Sequence, residues 1–364
     1  MLKIRQPVSI VFLMLGHECN LSCVYCMQAG TLRKKSKGSI PQMQGQPDKI
    51  IPFLRALAED QKETLTVQFY GGEPLLYFAT IRSVVEALED LPNVAFSTIS
   101  NGTLISPAIV DFLNEKNFHV AISWDGLNVE ETRGVDVLRV NPDILDIKSL
   151  GISVVLSARA YPLDVLKPLE VHDREYALRH DGRNIGVNFD TIFDFGGLPR
   201  ELLEVDLHRL SGEMCMLAAE YGKSLAGVEH NAQMARLAAK YVNQIRNTLG
   251  FCEGIQEYRR GSCACGNGYK ILNLDLDGNL YRCHNTGEKV GTIDNSYGKI
   301  LDTVIALDPT RDNCKVCKDC PVVTICECGC PLIGQAARQA GYCDIKRAAY
   351  LPFVEWLLRA GEVA

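Results

Sequence analysis

Cys19-Asn20-Leu21-Ser22-Cys23-Val24-Tyr25-Cys26 sets three thiols in a C-x3-C-x2-C spacing just after an apolar run, Val8-Ser9-Ile10-Val11-Phe12-Leu13. That run reads as a buried first strand. It is too short to cross a bilayer, which takes about 20 apolar residues. Lys3 and Arg5 ahead of it imitate a secretion signal, but His17-Glu18 stands where cleavage needs small residues. Three thiolates on one loop suit a [4Fe–4S] cluster whose fourth iron stays open. Zinc, which prefers four ligands in paired short spacings, and plain buried cysteines are the alternatives on spacing alone.

Outward from this loop, strand-like and helix-like stretches alternate. Strands are expected at residues 9–14, 65–70, 94–100, 119–124, 153–157 and 186–193, with helices at 48–60, 78–91, 107–116 and from 163 onward. Such βα alternation predicts an α/β fold with a parallel sheet under an outer helical layer, its sites at the carboxyl ends of the strands. Six strands make a partial, TIM-like (β/α)6 barrel rather than a closed eight. Two longer helices follow at 205–223 and 231–249, and the composition then changes. The expected division is 1–250 for the barrel and 251–364 for a small Cys-rich domain. That second part holds a β-hairpin turning at Asp277-Gly278 and a terminal helix at 348–358.

Composition bounds the function. A net charge of -6 over 364 residues argues against a nucleic-acid partner. No stretch is long and apolar enough for a membrane span. Of the 15 cysteines, eleven lie in the last third, and an odd, clustered set without a secretion signal points to metal in a reducing cytoplasm rather than to disulfides.

Further motifs close successive strands. Gly71-Gly72-Glu73-Pro74 follows the second, Ser100-Asn101-Gly102-Thr103 the third and Ser123-Trp124-Asp125-Gly126 the fourth, while Arg159 trails the fifth. Each alone is weak, since Asn-Gly is a common turn dipeptide. Together with the cysteine triad and its aromatic Tyr25, they resemble the radical S-adenosylmethionine (SAM) superfamily. The resemblance implies a SAM-binding [4Fe–4S] cluster on Cys19, Cys23 and Cys26. It further implies SAM contacts from Tyr25, Gly71, Gly72, Glu73, Ser100, Asn101, Ser123 and Arg159, and a 5′-deoxyadenosyl radical as the reactive species.

The last third carries Cys265-x12-Gly278-x4-Cys283, then Cys317-x2-Cys320-x5-Cys326-x3-Cys330, and finally Cys343. This pattern resembles the SPASM extension of radical SAM peptide maturases, which implies two auxiliary [4Fe–4S] clusters. Cys317, Cys320, Cys326 and Cys343 are then expected on the distal one. Cys265, Cys283 and Cys330 are expected on the nearer one, with Cys263 and Cys252 competing for its fourth iron unless that iron stays open. Cys314 and Cys328 are surplus, and Cys215 reads as core. A zinc-ribbon-like module is the bland alternative.

Auxiliary clusters suit a net two-electron oxidation, so the expected activity is oxidative modification of a peptide side chain: a C–C, C–O or thioether cross-link. The expected partners are a precursor peptide or protein, a reductant such as flavodoxin or ferredoxin, and a separate leader-binding protein. An anaerobic sulfatase-type maturase making formylglycine is the nearest rival. Those enzymes resemble this chain but place Asp where His284 stands. A non-catalytic cluster- or zinc-binding protein is the other alternative. His284 and Asp190 are the candidate proton acceptors.

Overall fold

The computed structural model describes residues 7–28, 47–194, 196–248, 270–295, 299–300, 303, 317, 319–326, 329–330, 332–334 and 337–360. Cys252, Cys263, Cys265, Cys314 and Cys328 lie outside the described residues. Among the described residues, no helix is long and apolar enough to cross a membrane.

Among the described residues, nine strands form a single open sheet in the order β6-β5-β4-β3-β2-β1-β7-β8-β9. They are β1 Ile10–Met14, β2 Leu65–Tyr70, β3 Val94–Ser100, β4 His119–Ser123, β5 Leu150–Leu156 and β6 Gly186–Thr191, then β7 Ile271–Asp275, β8 Asn279–Tyr281 and β9 Lys289–Thr292. The first six are parallel and pair consecutively without closing, which is the mixed α/β partial barrel expected from the sequence. Strand β7 pairs in parallel with β1, and β8 and β9 continue antiparallel from it. The same sheet therefore runs on past residue 250, where the composition changes.

The longer helices among the described residues are α1 Ile51–Glu59, α2 Phe78–Glu86, α3 Pro107–Glu115, α4 Val129–Arg133, α5 Pro162–Arg179, α6 Leu207–Leu225, α7 Ala232–Thr248 and α8 Cys343–Arg359. Proline occupies the first turn of α1, α3 and α5, where its missing N–H goes unneeded. Asp206 caps α6 by accepting from the Arg209 N–H at 3.0 Å.

Register divides the sheet into two unlike faces, because residues paired across parallel strands share a side. On one face lie Val11, Leu13, Val67, Phe69, Phe96, Val120, Ile122, Ile152, Val154 and Val187, all buried. Phe69, Phe96 and Phe118 stack there with centroids 5.5–6.4 Å apart, and Phe112 of α3 joins them. This is the helix-covered face. On the other lie Thr66, Gln68 and Tyr70, Ala121 and Ser123, Ser153 and Val155, and the exposed Asn188 and Asp190. The inner face is polar and partly open.

Candidate functional site

The cysteine loop leaves β1 at the carboxyl rim of the sheet. Gly72 N–H donates to the Gly16 carbonyl at 3.0 Å, and Glu73 N–H to that of Glu18 at 2.7 Å, so the Gly-Gly-Glu loop is laced to the stem of the cysteine loop. A Cβ on Gly72 would fall 2.0 Å from the Glu18 oxygen, and one on Gly71 (φ 154°) 2.3 Å from that of Gly16. Here the two glycines permit backbone-to-backbone packing.

Glu73 is buried, with one oxygen accepting from Ser100 Oγ (2.7 Å) and Leu75 N–H (3.1 Å) and the other from Asn101 N–H (2.8 Å). Burial pushes its pKa upward against these three bonds. Glu73 and Ser100 thus form a strut between the ends of β2 and β3, and the register turns the Ser100 side chain toward the helical face. Asn101 reaches the cysteines: its Nδ2 donates to Asn20 Oδ1 at 2.8 Å and lies 3.8 Å from Cys19 Sγ. Ser123 lies on the inner face beside Ser153. Arg159 is exposed and pairs with Glu131 at 2.6 Å.

Asp125 is a hub that the sequence reading left without a role. It is fully buried and accepts from the Tyr25 hydroxyl, Thr132 Oγ1 (2.8 Å), Arg133 Nε (2.9 Å) and Val155 N–H (3.3 Å). The Arg133 guanidinium sits 5.2 Å from the Tyr25 ring centroid. Desolvation raises the Cys23 thiol, and Arg133 opposes that.

The second cysteine group meets the first across Tyr70. Cys283 is buried, and the His284 ring stacks on Phe12 at 4.0 Å and meets Tyr70 edge-on at 4.5 Å. Tyr70 donates to Asn285 Oδ1 at 3.1 Å. Its hydroxyl is pushed up chiefly by desolvation, then by the thiols of Cys283 and Cys26 and the carboxylate of Asp190. His284 contacts Asn273 Oδ1 at 3.2 Å, and burial lowers its pKa to about 4, so the ring is neutral near pH 7. Asp190, by contrast, has its carboxyl raised by desolvation, an effect that Lys346 of α8 partly offsets. Lys346 lies 5.7 Å from the Tyr342 ring centroid, and the thiols of Cys326 and Cys330 act on it together with Asp190. Cys317 and Cys320 share a turn (N···O 3.2 Å), and Arg347 bonds the Cys320 thiol. Cys215 is exposed on α6, not in the core, because its position on the helix turns it to solvent.

Cys19, Cys23 and Cys26 are free thiols. No three His, Cys, Asp or Glu side chains among the described residues converge as a single ion requires; a cubane instead spreads its thiolates over separate irons. The triad fits that group: three free thiols on one loop, mutually close enough for Cys19 and Cys26 to raise Cys23, with an amide from Asn101 at its edge.

Residues 13–146 match the family model described as the radical SAM superfamily, an enzyme class. The radical SAM cyclopropyl synthase TigE of Paramaledivibacter caminithermalis is 27% identical over 133 residues, 34% of this chain and 28% of its own. A cysteine-type anaerobic sulfatase-maturating enzyme of Clostridium novyi is 28% identical over 126 residues, 33% of each chain. The matched segments thus span a third or less of these curated relatives. The solved structure of native anSMEcpe with bound AdoMet and Cp18Cys peptide superposes with a TM-score of 0.68 over 97% of both chains at 18% identity. The chain therefore carries a radical SAM domain at residues 13–146, within a fold it shares with anSMEcpe.

Proposed function

We propose that this chain is a radical SAM enzyme that oxidatively modifies a side chain of a peptide. The observation that carries the reading is the laced rim, where Cys19, Cys23 and Cys26 stand beside the ends of β2, β3 and β4 over an open polar face. In this reading the triad holds a [4Fe–4S] cluster. Tyr25, Gly71, Gly72, Asn101 and Ser123 would hold SAM, with Glu73 and Ser100 fixing the loops and Arg159 at the margin. When bound, the reduced cluster and SAM supply a carbon radical that abstracts hydrogen from an unactivated C–H.

The chain's own residues then do three things. The rim would hold SAM at the carboxyl end of the sheet. His284, stacked on Phe12, and Asn285, bonded to Tyr70, wall the β1–β2 side of the inner face. Asp190, a desolvated carboxylate at an accessible strand end, accepts the proton that leaves the oxidised side chain. His284, already neutral and stacked on Phe12, serves as wall rather than base. Cys317, Cys320, Cys326 and Cys343 would hold one auxiliary cluster, and Cys265, Cys283 and Cys330, with Cys263 or Cys252 as fourth ligand, would hold a second; such clusters would supply an acceptor for the electron left on the substrate. An external flavodoxin or ferredoxin supplies the first electron, and a separate protein presents the leader.

Formylglycine formation is the second reading, favoured by the likeness to the sulfatase-maturating enzyme. The test uses chain reconstituted anaerobically with iron and sulfide, reduced, and given SAM with a cysteine-containing or a neighbouring-gene precursor peptide. Cross-linking removes two hydrogens from the precursor, whereas formylglycine converts the cysteine peptide to an aldehyde. Peptides unchanged in mass after SAM cleavage would overturn the peptide assignment.

A further inference from the structure

We propose that Asp125 and Arg133 are positioning residues for the cysteine loop. Acting through Tyr25, they fix the geometry in which that loop holds its cluster. The inference rests on the assignment of a cluster to Cys19, Cys23 and Cys26.

Two consecutive residues of the loop, Val24 and Tyr25, are held by three residues around α4. The Val24 N–H donates to the Thr132 carbonyl at 3.0 Å. The Tyr25 hydroxyl donates to Asp125, which also takes Thr132 Oγ1 at 2.8 Å. The Arg133 guanidinium bonds Asp125 through Nε (2.9 Å) and Nη2 (3.4 Å) and lies against the Tyr25 ring. The contacts come from positions about 100 residues apart in sequence, as Tyr25 and Asp125 show.

A buried ion pair is weak glue. Apolar replacements of similar volume commonly hold a fold as well or better, while a half-removed pair leaves a stranded charge. Here Asp125 is 0% and Arg133 9% exposed, and the pair is turned toward the loop that carries Cys19, Cys23 and Cys26. Tyr25 touches both partners, so the loop cannot shift without breaking the carboxylate's hydrogen bonds.

The test compares full-length wild type, Tyr25→Phe, Arg133→Lys and the Asp125→Asn/Arg133→Met double variant, all reconstituted anaerobically. Electron paramagnetic resonance of the reduced proteins, with and without SAM, isolates the signal that responds to SAM, and the melting temperature is read alongside. The expected result is a SAM-responsive signal at least fivefold weaker in the double variant. Tyr25→Phe should show a roughly twofold loss at unchanged melting temperature, and Arg133→Lys should recover most of the wild-type signal. An undiminished signal in Tyr25→Phe and the double variant would overturn the proposal. So would a double variant whose cluster signals all fall together with its melting temperature while Tyr25→Phe matches wild type, because the pair would then support only the fold. If the double variant does not fold, Tyr25→Phe decides by the same criteria. A wild type without any SAM-responsive signal refutes the cluster assignment itself, a distinct failure.

Discussion

The two faces of the sheet are built from the same strands, alternating residue by residue, yet they differ in kind. The helix-covered face is apolar and sealed; Val67, Phe69, Val120 and Val154 have no solvent exposure. The inner face carries Gln68, Tyr70, Ser123, Ser153, Asn188 and Asp190 and stays partly open. An open parallel sheet normally buries both faces. The difference teaches that stability is concentrated on one side, leaving the other free to hold polar groups at the energetic disadvantage that chemistry requires.

Breaking the sealed face should have the largest effect. Phe69→Ala is expected to destabilise the fold by about 3–5 kcal/mol, because the ring is fully buried within the Phe96–Phe118 stack; chemical denaturation measures it. On the open face, Asp190→Asn should leave the melting temperature unchanged while slowing peptide turnover about 10²- to 10⁴-fold, the usual worth of a positioned acid–base group. The sign of the stability effect follows from the raised pKa. A carboxyl that binds its proton more tightly when folded contributes stability at acid pH and loses it as pH rises through the folded value. Removing the charge therefore does no harm at neutral pH. Turnover by the wild type should rise with pH through a midpoint above the ordinary carboxylate range, and the Asn variant should lack that limb.

Between the faces stands the Glu73 strut. Glu73→Gln keeps an acceptor but brings an amide against a backbone donor, and should destabilise by about 1–3 kcal/mol, with SAM affinity falling alongside in equilibrium dialysis. The smallest change belongs outside both faces. Leu178→Ala on α5, where the side chain is 88% exposed, should move stability by no more than about 0.5 kcal/mol.

The sequence made the regular parts of this architecture readable. Strands β2 and β3 match the expected 65–70 and 94–100 residue for residue, because strong β-branched and aromatic runs there end at glycine-bearing turns. Strand β5 begins at Leu150, three residues before the expected start, since Leu150-Gly151-Ile152 has weak local preference and is held by pairing to β4. The block between β4 and β5, which includes α4, has no clear period and went unforeseen, as did β9. The terminal helix begins at Cys343, five residues before its expected start at 348. Of the site, the cysteine spacing and strand-end motifs were visible because they are local. The Asp125–Tyr25–Arg133 hub and the approach of Lys346 to Asp190 were not, since burial and long-range packing decide them. The glycines of Gly71-Gly72 were legible as a need for close approach, but the partner that approaches is the stem of the cysteine loop.

The most direct measurement is product analysis of anaerobically reconstituted, reduced chain incubated with SAM, run beside a Cys23→Ala variant of matching melting temperature. The account predicts 5′-deoxyadenosine from the unaltered chain and none above background from the variant. A fully iron-loaded, reduced chain that leaves SAM intact, or a variant that cleaves it equally well, would contradict it.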